Sequence, residues 1–178
     1  LLAINIKTTE IRFEEPMQTK PVILVYDINN KLVDEVAGEI GITGKFTSIN
    51  TYNEANAVDA VRQYNRGFGL LTNKLACIVT GWNRHKKPRD QFLYRLREQE
   101  RKSPFRQPTP VVLITEDHRE DLKRRALDPA DGNVCAYLHA DDFRSTLAGI
   151  LQQIINEENT KELNRLSREA FEAELAEE

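Results

Sequence analysis

A chain of 178 residues has the length for one well-buried domain with accessory elements and is short for two. Hydrophobic residues at 40% and charged residues at 30% give the make-up of an ordinary soluble globular protein, and a formal net charge of −3 argues against a general nucleic-acid binder, which carries a strongly basic face. No apolar run approaches the roughly 20 residues of a bilayer-spanning helix, and no basic-then-apolar leader opens the chain. Leu1 in first place points to a chain that begins inside a longer protein. Cys77 and Cys135, both inside apolar runs, read as buried free thiols in a reducing compartment, so the expected location is the cytoplasm.

Residues 1–20 carry Ile4, Ile6, Ile11 and Phe13 among polar neighbours. That alternation suggests one or two short strands, as an added hairpin, an arm, or the tail of a preceding domain. From Pro21 the pattern is regular. Pro21–Asp27 is an apolar strand with a turn at Ile28–Asn30, and Leu32, Val33, Val36, Ala37 and Ile40 follow at helical spacing toward Gly41 and Gly44. Phe46–Tyr52 alternates as a second strand. Asn53, with Asn56 three residues on, is placed to cap a helix carrying Ala57, Val58, Ala60, Val61 and Tyr64. After the loop 66–74, Leu75–Thr80 is an apolar run ending in Gly81-Trp82-Asn83, as expected of a strand buried on both faces at the centre of a parallel sheet. A helix over Gln91–Glu100 and a three-proline connector, Ser103–Pro110, lead to a fourth strand, Val111–Thr115. A charged helix over Asp117–Leu127, a turn at Asp128–Gly132 and a fifth strand, Val134–His139, come next. Asp141 is placed to cap a last domain helix through Phe143, Leu147, Ile150, Leu151, Ile154 and Ile155. Strands alternating with helices in this way imply right-handed crossovers and a parallel α/β sheet covered on both faces. Beyond the polar break at 156–159, Leu163, Leu166, Ala170 and Phe171 resume an apolar stripe. It fits a helix folding back on the domain and equally a linker or dimer coil.

In an open parallel sheet the working crevice lies beyond the carboxyl ends of the strands. Those ends deliver Tyr26-Asp27, Thr80-Gly81-Trp82-Asn83, Thr115-Glu116 and His139-Ala140. The phrases Ile23-Leu24-Val25-Tyr26-Asp27 and Pro110-Val111-Val112-Leu113-Ile114-Thr115, set in this element order from Pro21 to Ile155, resemble a bacterial response-regulator receiver domain of the CheY-like type. The resemblance implies a flavodoxin-like (βα)5 three-layer sandwich with strand order 2-1-3-4-5. It assigns residues 1–20 to an N-terminal extension, 21–156 to the receiver-like domain and 157–178 to a C-terminal helix or linker. It also implies the family's site: an acidic pair holding Mg²⁺ after the first strand, an acceptor aspartate after the third, a Thr or Ser after the fourth and a lysine after the fifth. At these places the chain has Tyr26-Asp27, Gly81, Thr115, and His139 or Ala140. The acceptor, one acidic ligand and the lysine are therefore lost together, the pattern of a pseudo-receiver.

The remaining side chains are weighed on their chemistry. One carboxylate is a poor offer to a hard cation, so no cofactor is expected and Mg²⁺ at most weakly at Asp27. Asp27 reads more readily as a cap of the first helix or a solvated strand end than as a cation ligand. Thr115 reads as a hydrogen-bonding strand terminus, and His139 as a surface histidine rather than a pH sensor. Trp82 either stacks on a planar ligand or, as the stronger expectation, plugs the space left at Gly81. Arg84, Lys86, Lys87 and Arg89, with Arg95, Arg97, Arg101, Lys102 and Arg106, face only Asp90, Glu98 and Glu100. A solvated helix face is the leading reading, ahead of an acidic protein partner and a small anion. No catalytic or zinc-binding constellation emerges. The expectation is a non-enzymatic signalling domain acting through protein contact, toward a signalling protein, a downstream output domain or a second copy, without membrane or direct nucleic-acid binding. In the family the contact face is formed by helix four, strand five and helix five, which here includes Arg124, Arg125, Tyr137 and Asp142. A nucleotide or small-anion sensor, and an appendage of a larger enzyme or transcription regulator, are the alternatives.

Overall fold

The computed structural model describes residues 19–65, 74–81, 92–103, 107–156 and 160–177. Its strands are β1 (Val22–Tyr26), β2 (Thr47–Thr51), β3 (Leu75–Thr80), β4 (Val111–Thr115) and β5 (Ala136–His139). Its helices are α1 (Asn30–Ile42), α2 (Glu54–Asn65), α3 (Phe92–Arg101), α4 (Glu120–Leu127), α5 (Leu147–Asn156) and α6 (Thr160–Glu177). All strand pairs are parallel, in the order β2-β1-β3-β4-β5. This is the flavodoxin-like sandwich that the resemblance implies, built on the parallel α/β sheet expected from the alternating pattern. Most of the expected 1–20 extension lies outside the described residues. No described helix is long and apolar enough to cross a membrane.

Every residue of β1 and of β4 is buried, as continuous apolar strands require when both faces are covered. The period of two then divides their side chains. Ile23, Val25, Cys77, Val79, Val112 and Ile114 pack toward α1 and α5, whereas Leu24, Tyr26, Ile78 and Leu113 pack toward α2, α3 and α4. Burial pushes the Cys77 thiol well above its ordinary range and raises that of Cys135, so both stay protonated core groups.

Three expected boundaries shift, each for a local reason. Helix α1 is capped by Asn29, whose Oδ1 accepts from Leu32 N at 3.4 Å, and not by Asp27. It runs through Gly41 to Ile42 and stops where Gly44 adopts a positive φ of 64°. Helix α4 begins at Glu120 rather than Asp117, because the Asp117 carboxylate accepts from Arg119 N at 3.0 Å and holds the preceding residues in a turn. Helix α5 is not capped by Asp141. A short 3-10 turn at Phe143–Ser145 intervenes, and the helix starts at Leu147. Asn53 does cap α2, accepting from Asn56 N at 2.9 Å.

Arg97, expected on a solvated basic face, is instead 4% exposed. Its Nε donates to Gly132 O (2.9 Å), Nη1 to Thr109 O (3.0 Å) and Glu100 Oε2 (2.6 Å), and Nη2 to Asn133 O (3.1 Å). A guanidinium can be buried only with its fork satisfied in this way. It ties the turn after α4 to the connector that leads into β4. Gly132 is obligatory in that turn, since a Cβ there would stand 2.5 Å from Ala126 O.

Helix α6 folds back over α4 and the free edge of β5. Leu163 enters the core layer shared with α1 and α5, and Phe171 enters the layer on the opposite side of the sheet. Between them Asn164, 2% exposed, donates from Nδ2 to both Leu127 O and Val134 O at 2.8 Å, and Ser167 Oγ donates to Cys135 O. Lys123 and Arg124 lie over the Phe171 ring, and Lys123 also pairs with Glu174. The helix thereby covers an edge strand that would otherwise present unpaired backbone groups. Replacing Asn164 by Leu leaves two buried carbonyls without donors and is expected to cost about 2 kcal/mol in urea unfolding. Replacing the half-exposed Leu166 by Ala on the same helix is expected to stay within about 0.5 kcal/mol of the parent.

Candidate functional site

The pairing register sets Tyr26 of β1 beside Thr80 of β3. The next residues, Asp27 and Gly81, therefore stand side by side at the sheet's carboxyl edge, on the α1 face by strand parity. Gly81 N donates to Tyr26 O at 3.3 Å. A Cβ built on Gly81 would stand 1.8 Å from Asp27 Oδ2 and 2.9 Å from its Cγ. The Asp27 carboxylate thus occupies the place where a side chain at position 81 would start. It is only 9% exposed, and Oδ1 accepts from Asn29 N at 2.8 Å, the bond that shapes the turn into α1. The hollow around it, lined by Val25, Leu32, Val33, Val36, Val79, Thr80 and Ile114 among others, measures about 10 Å³. That is the room of about one water molecule.

The neighbouring polar groups are engaged in local structure. The Tyr26 ring turns to the opposite face and meets Phe92 edge-on, with centroids 5.2 Å apart. Thr80 Oγ1 donates to Gly81 O at 3.2 Å, and Thr115 Oγ1 accepts from Asp117 N at 3.1 Å. Neither Tyr26 nor Gly81 offers a carboxylate, and among the described residues no cluster of three or more His, Cys, Asp or Glu can hold a metal ion. The donor set and a 10 Å³ hollow do not fit the Mg²⁺ implied by the resemblance.

On the other flank of the edge, the register sets His139 directly opposite Thr115, so His139 rather than Ala140 ends the pair. Sequence reasoning missed the partner of His139. His118, on the β4–α4 loop, stacks on it with ring centroids 4.2 Å apart and planes at 27°. Tyr137 meets His139 edge-on at 5.9 Å, and its hydroxyl donates to Asp117 O at 2.9 Å. Burial, followed by the negative charge of Asp117, pushes the Tyr137 phenol up to about 12. A cleft of about 320 Å³ opens beside the stack, lined by Asn29, Lys31, Glu35, Glu116, His118 and Asp141. The one signal available beforehand was that both histidines fall within three residues of a predicted strand end.

Trp82, Arg84, Lys86, Lys87 and Arg89 lie outside the described residues, so the expected tryptophan plug and the first part of the basic segment have no place in this geometry. The described part of the segment is largely neutralised. Arg95 pairs with Glu54 at 2.8 Å, Arg97 is buried, Arg101 donates to Ala130 O and Lys102 lies 3.7 Å from Glu98. On the expected contact face, Arg124 lies over Phe171 of α6, so this helix covers part of that surface.

No family model and no curated protein matches the sequence. Solved structures do. The signal receiver domain of an HD domain-containing protein from Pseudomonas fluorescens Pf-5 superposes with a TM-score of 0.59 at 15% identity, over 87% of this chain and 96% of that one. A two-component response regulator from Clostridium difficile gives 0.59 at 16%, over 79% and 99%. The chemotaxis response regulator CheY4 of Vibrio cholerae gives 0.55 at 15%, over 76% and 99%. At these identities the likeness shows a shared fold, that of receiver domains.

Two outcomes follow from the site. Gly81→Ala must displace the Asp27 carboxylate from its bond to Asn29 N, and is expected to cost about 1 kcal/mol in the parent and little in an Asp27→Ala background. A double-mutant cycle measured by urea unfolding reads this coupling, and additive costs would contradict the packing described. Tyr137 keeps its proton up to about pH 12 when folded, whereas a free tyrosine releases it near 10. The folded state therefore binds more protons between those values, so this contribution is intact below about pH 10 and is lost as pH rises toward 12. Tyr137→Phe is expected to show a shallower fall in unfolding midpoint across that window than the parent.

Proposed function

We propose that this receiver-fold chain is a signalling module that works through protein contact and does not cycle through an aspartyl phosphate. The observation that carries the reading is the Asp27 carboxylate seated in the side-chain space of Gly81. An acceptor must present a carboxylate to a phosphoryl donor beside a cation. Position 81 has no side chain, and the carboxylate that takes its place is bound to the Asn29 amide in a 10 Å³ hollow. The receiver fold of the structural neighbours supports a role in two-component-related signal transduction, as a regulatory module rather than an enzyme. The partner is a protein, either a signalling protein or an output domain, with self-association as a further option. The two buried thiols suit a cytoplasmic setting.

The nucleotide-sensor alternative gains little from the described cations of the basic segment, Arg95, Arg97, Arg101 and Lys102, which are engaged by Glu54, Glu98, Glu100 and backbone carbonyls. The direct test is incubation of the full chain with acetyl phosphate and Mg²⁺, followed by intact-mass measurement. The expected result is no added phosphoryl group, with an amide NMR spectrum unchanged by beryllofluoride. Stoichiometric phosphorylation of any aspartate, Asp27 included, would overturn the reading.

A further inference from the structure

We propose that the outer edge of β2 is a self-association surface, on which β2 of a second copy pairs antiparallel about Ile49. β2 is one of the two sheet edges, and among the described residues no strand pairs with its outer side. The other edge, β5, is covered by α6, with Asn164 and Ser167 bonding to the carbonyls of Val134 and Cys135 just ahead of it. From Phe46 to Asn53 the chain carries no charged residue and no proline, the usual guards of an exposed edge.

The register makes this edge self-complementary. Thr47 N donates to Pro21 O at 2.9 Å, so by the period of two Thr47, Ile49 and Thr51 turn their backbone groups to β1. Ser48 and Asn50 turn theirs outward, and Asn50 is exposed. In an antiparallel pair centred on Ile49, Ser48 stands opposite Asn50 of the second copy, and Asn50 opposite its Ser48. Both are pairs that exchange two N–H···O=C bonds, so the outward donors and acceptors of both strands are satisfied together. The two Ile49 side chains then meet across the two-fold axis at the closely spaced position.

Charge and shape favour a second copy in this orientation. Lys45 precedes the strand and Glu54 follows it, so antiparallel copies bring unlike charges toward each other, where parallel copies would align like charges. Each has a further partner within its own chain, Gln152 at 3.5 Å for Lys45 and Arg95 at 2.8 Å for Glu54. The side of α1 next to this edge is marked by Asp34, whose Oδ1 accepts from the Tyr52 hydroxyl at 2.7 Å just beyond β2. Ala37 and Gly41, three and seven residues on, continue that side, and a Cβ on Gly41 would meet nothing within 4 Å. These small residues leave room beside the edge where long side chains would hold a second sheet away. The pairing rests on the self-association option of the proposed function and gives it a surface. It uses neither Asp27 nor Gly81, so phosphorylation of the chain would leave it standing.

The experiment is sedimentation equilibrium of the full chain from about 10 μM to about 1 mM, the range of weak interfaces, with amide exchange read by ¹⁵N NMR at several concentrations within it. The mass is expected to rise from that of one chain toward that of two, and exchange at Ser48 and Asn50 to slow about tenfold as it does. Ser48→Lys/Asn50→Lys sets lysine opposite lysine in both pairs and is expected to stay a monomer with the parent's amide spectrum elsewhere. Asn50→Pro, which removes one outward N–H, is expected to do the same. A single-chain mass at about 1 mM, an association that leaves Ser48 and Asn50 exchanging freely or survives in both variants, or slow exchange at these two amides that does not depend on concentration would each overturn the pairing.

Discussion

A buried carboxylate is tolerated only when something donates to it, and at the carboxyl edge of this sheet that condition organises the surroundings. Asp27 reaches into the side-chain space of Gly81 and is held there by the Asn29 amide. Asn29 then caps α1, so the same short turn ends β1, starts the helix and fills the crevice. A residue larger than glycine at 81 would break this chain of dependencies at its first link. The other polar strand ends follow the same economy: Thr51 donates to Val25 O, Thr80 to Gly81 O, and Thr115 accepts from Asp117 N. Groups that in an open crevice would face a ligand here bond to the backbone.

The opposite regions of the molecule are held by two buried side chains with no apolar substitute. Arg97 satisfies its donors on the carbonyls of Thr109, Gly132 and Asn133 and on Glu100, and Asn164 bridges Leu127 and Val134. Both act on the turn between α4 and β5, one from each end. Helix α6 completes this support by sending Leu163 and Phe171 to opposite faces of the sheet across the β5 edge. It belongs mechanically to the sandwich, and a partner approaching α4 and β5 meets α6 first.

The periodic elements were legible in the chain because their signals are local. The continuous apolar runs of β1, β3 and β4, the helical spacing of Leu32, Val33, Val36 and Ile40, and the Asn53 cap each need only a few neighbouring residues. The misreadings share a different cause. Asp117 and Asp141 look like helix starts by composition, yet one shapes an Asx turn and the other precedes a 3-10 turn. Arg97 sits among basic residues and shares their composition, which does not report which member of a run faces inward. The Asp27–Gly81 contact and the histidine stack depend on inter-strand register, which joins residues far apart in the chain. That position 81 carries no side chain could be read from the sequence, but not that the Asp27 carboxylate fills the space beside it.

The two flanks of the carboxyl edge therefore have different physical characters. Around Asp27 the hollow is about 10 Å³ and its polar atoms are paired, so a signal arriving there has little to rearrange. Beside His118 an open cleft of about 320 Å³ lies between the start of α1 and the ends of β4 and β5. A tenfold shift between two conformations requires about 1.4 kcal/mol of differential binding, roughly the worth of one hydrogen bond. The packed flank would have to dismantle its own turn to supply that difference. The carboxyl edge is thus a packed turn where β1 and β3 end and an open cleft where β4 and β5 end.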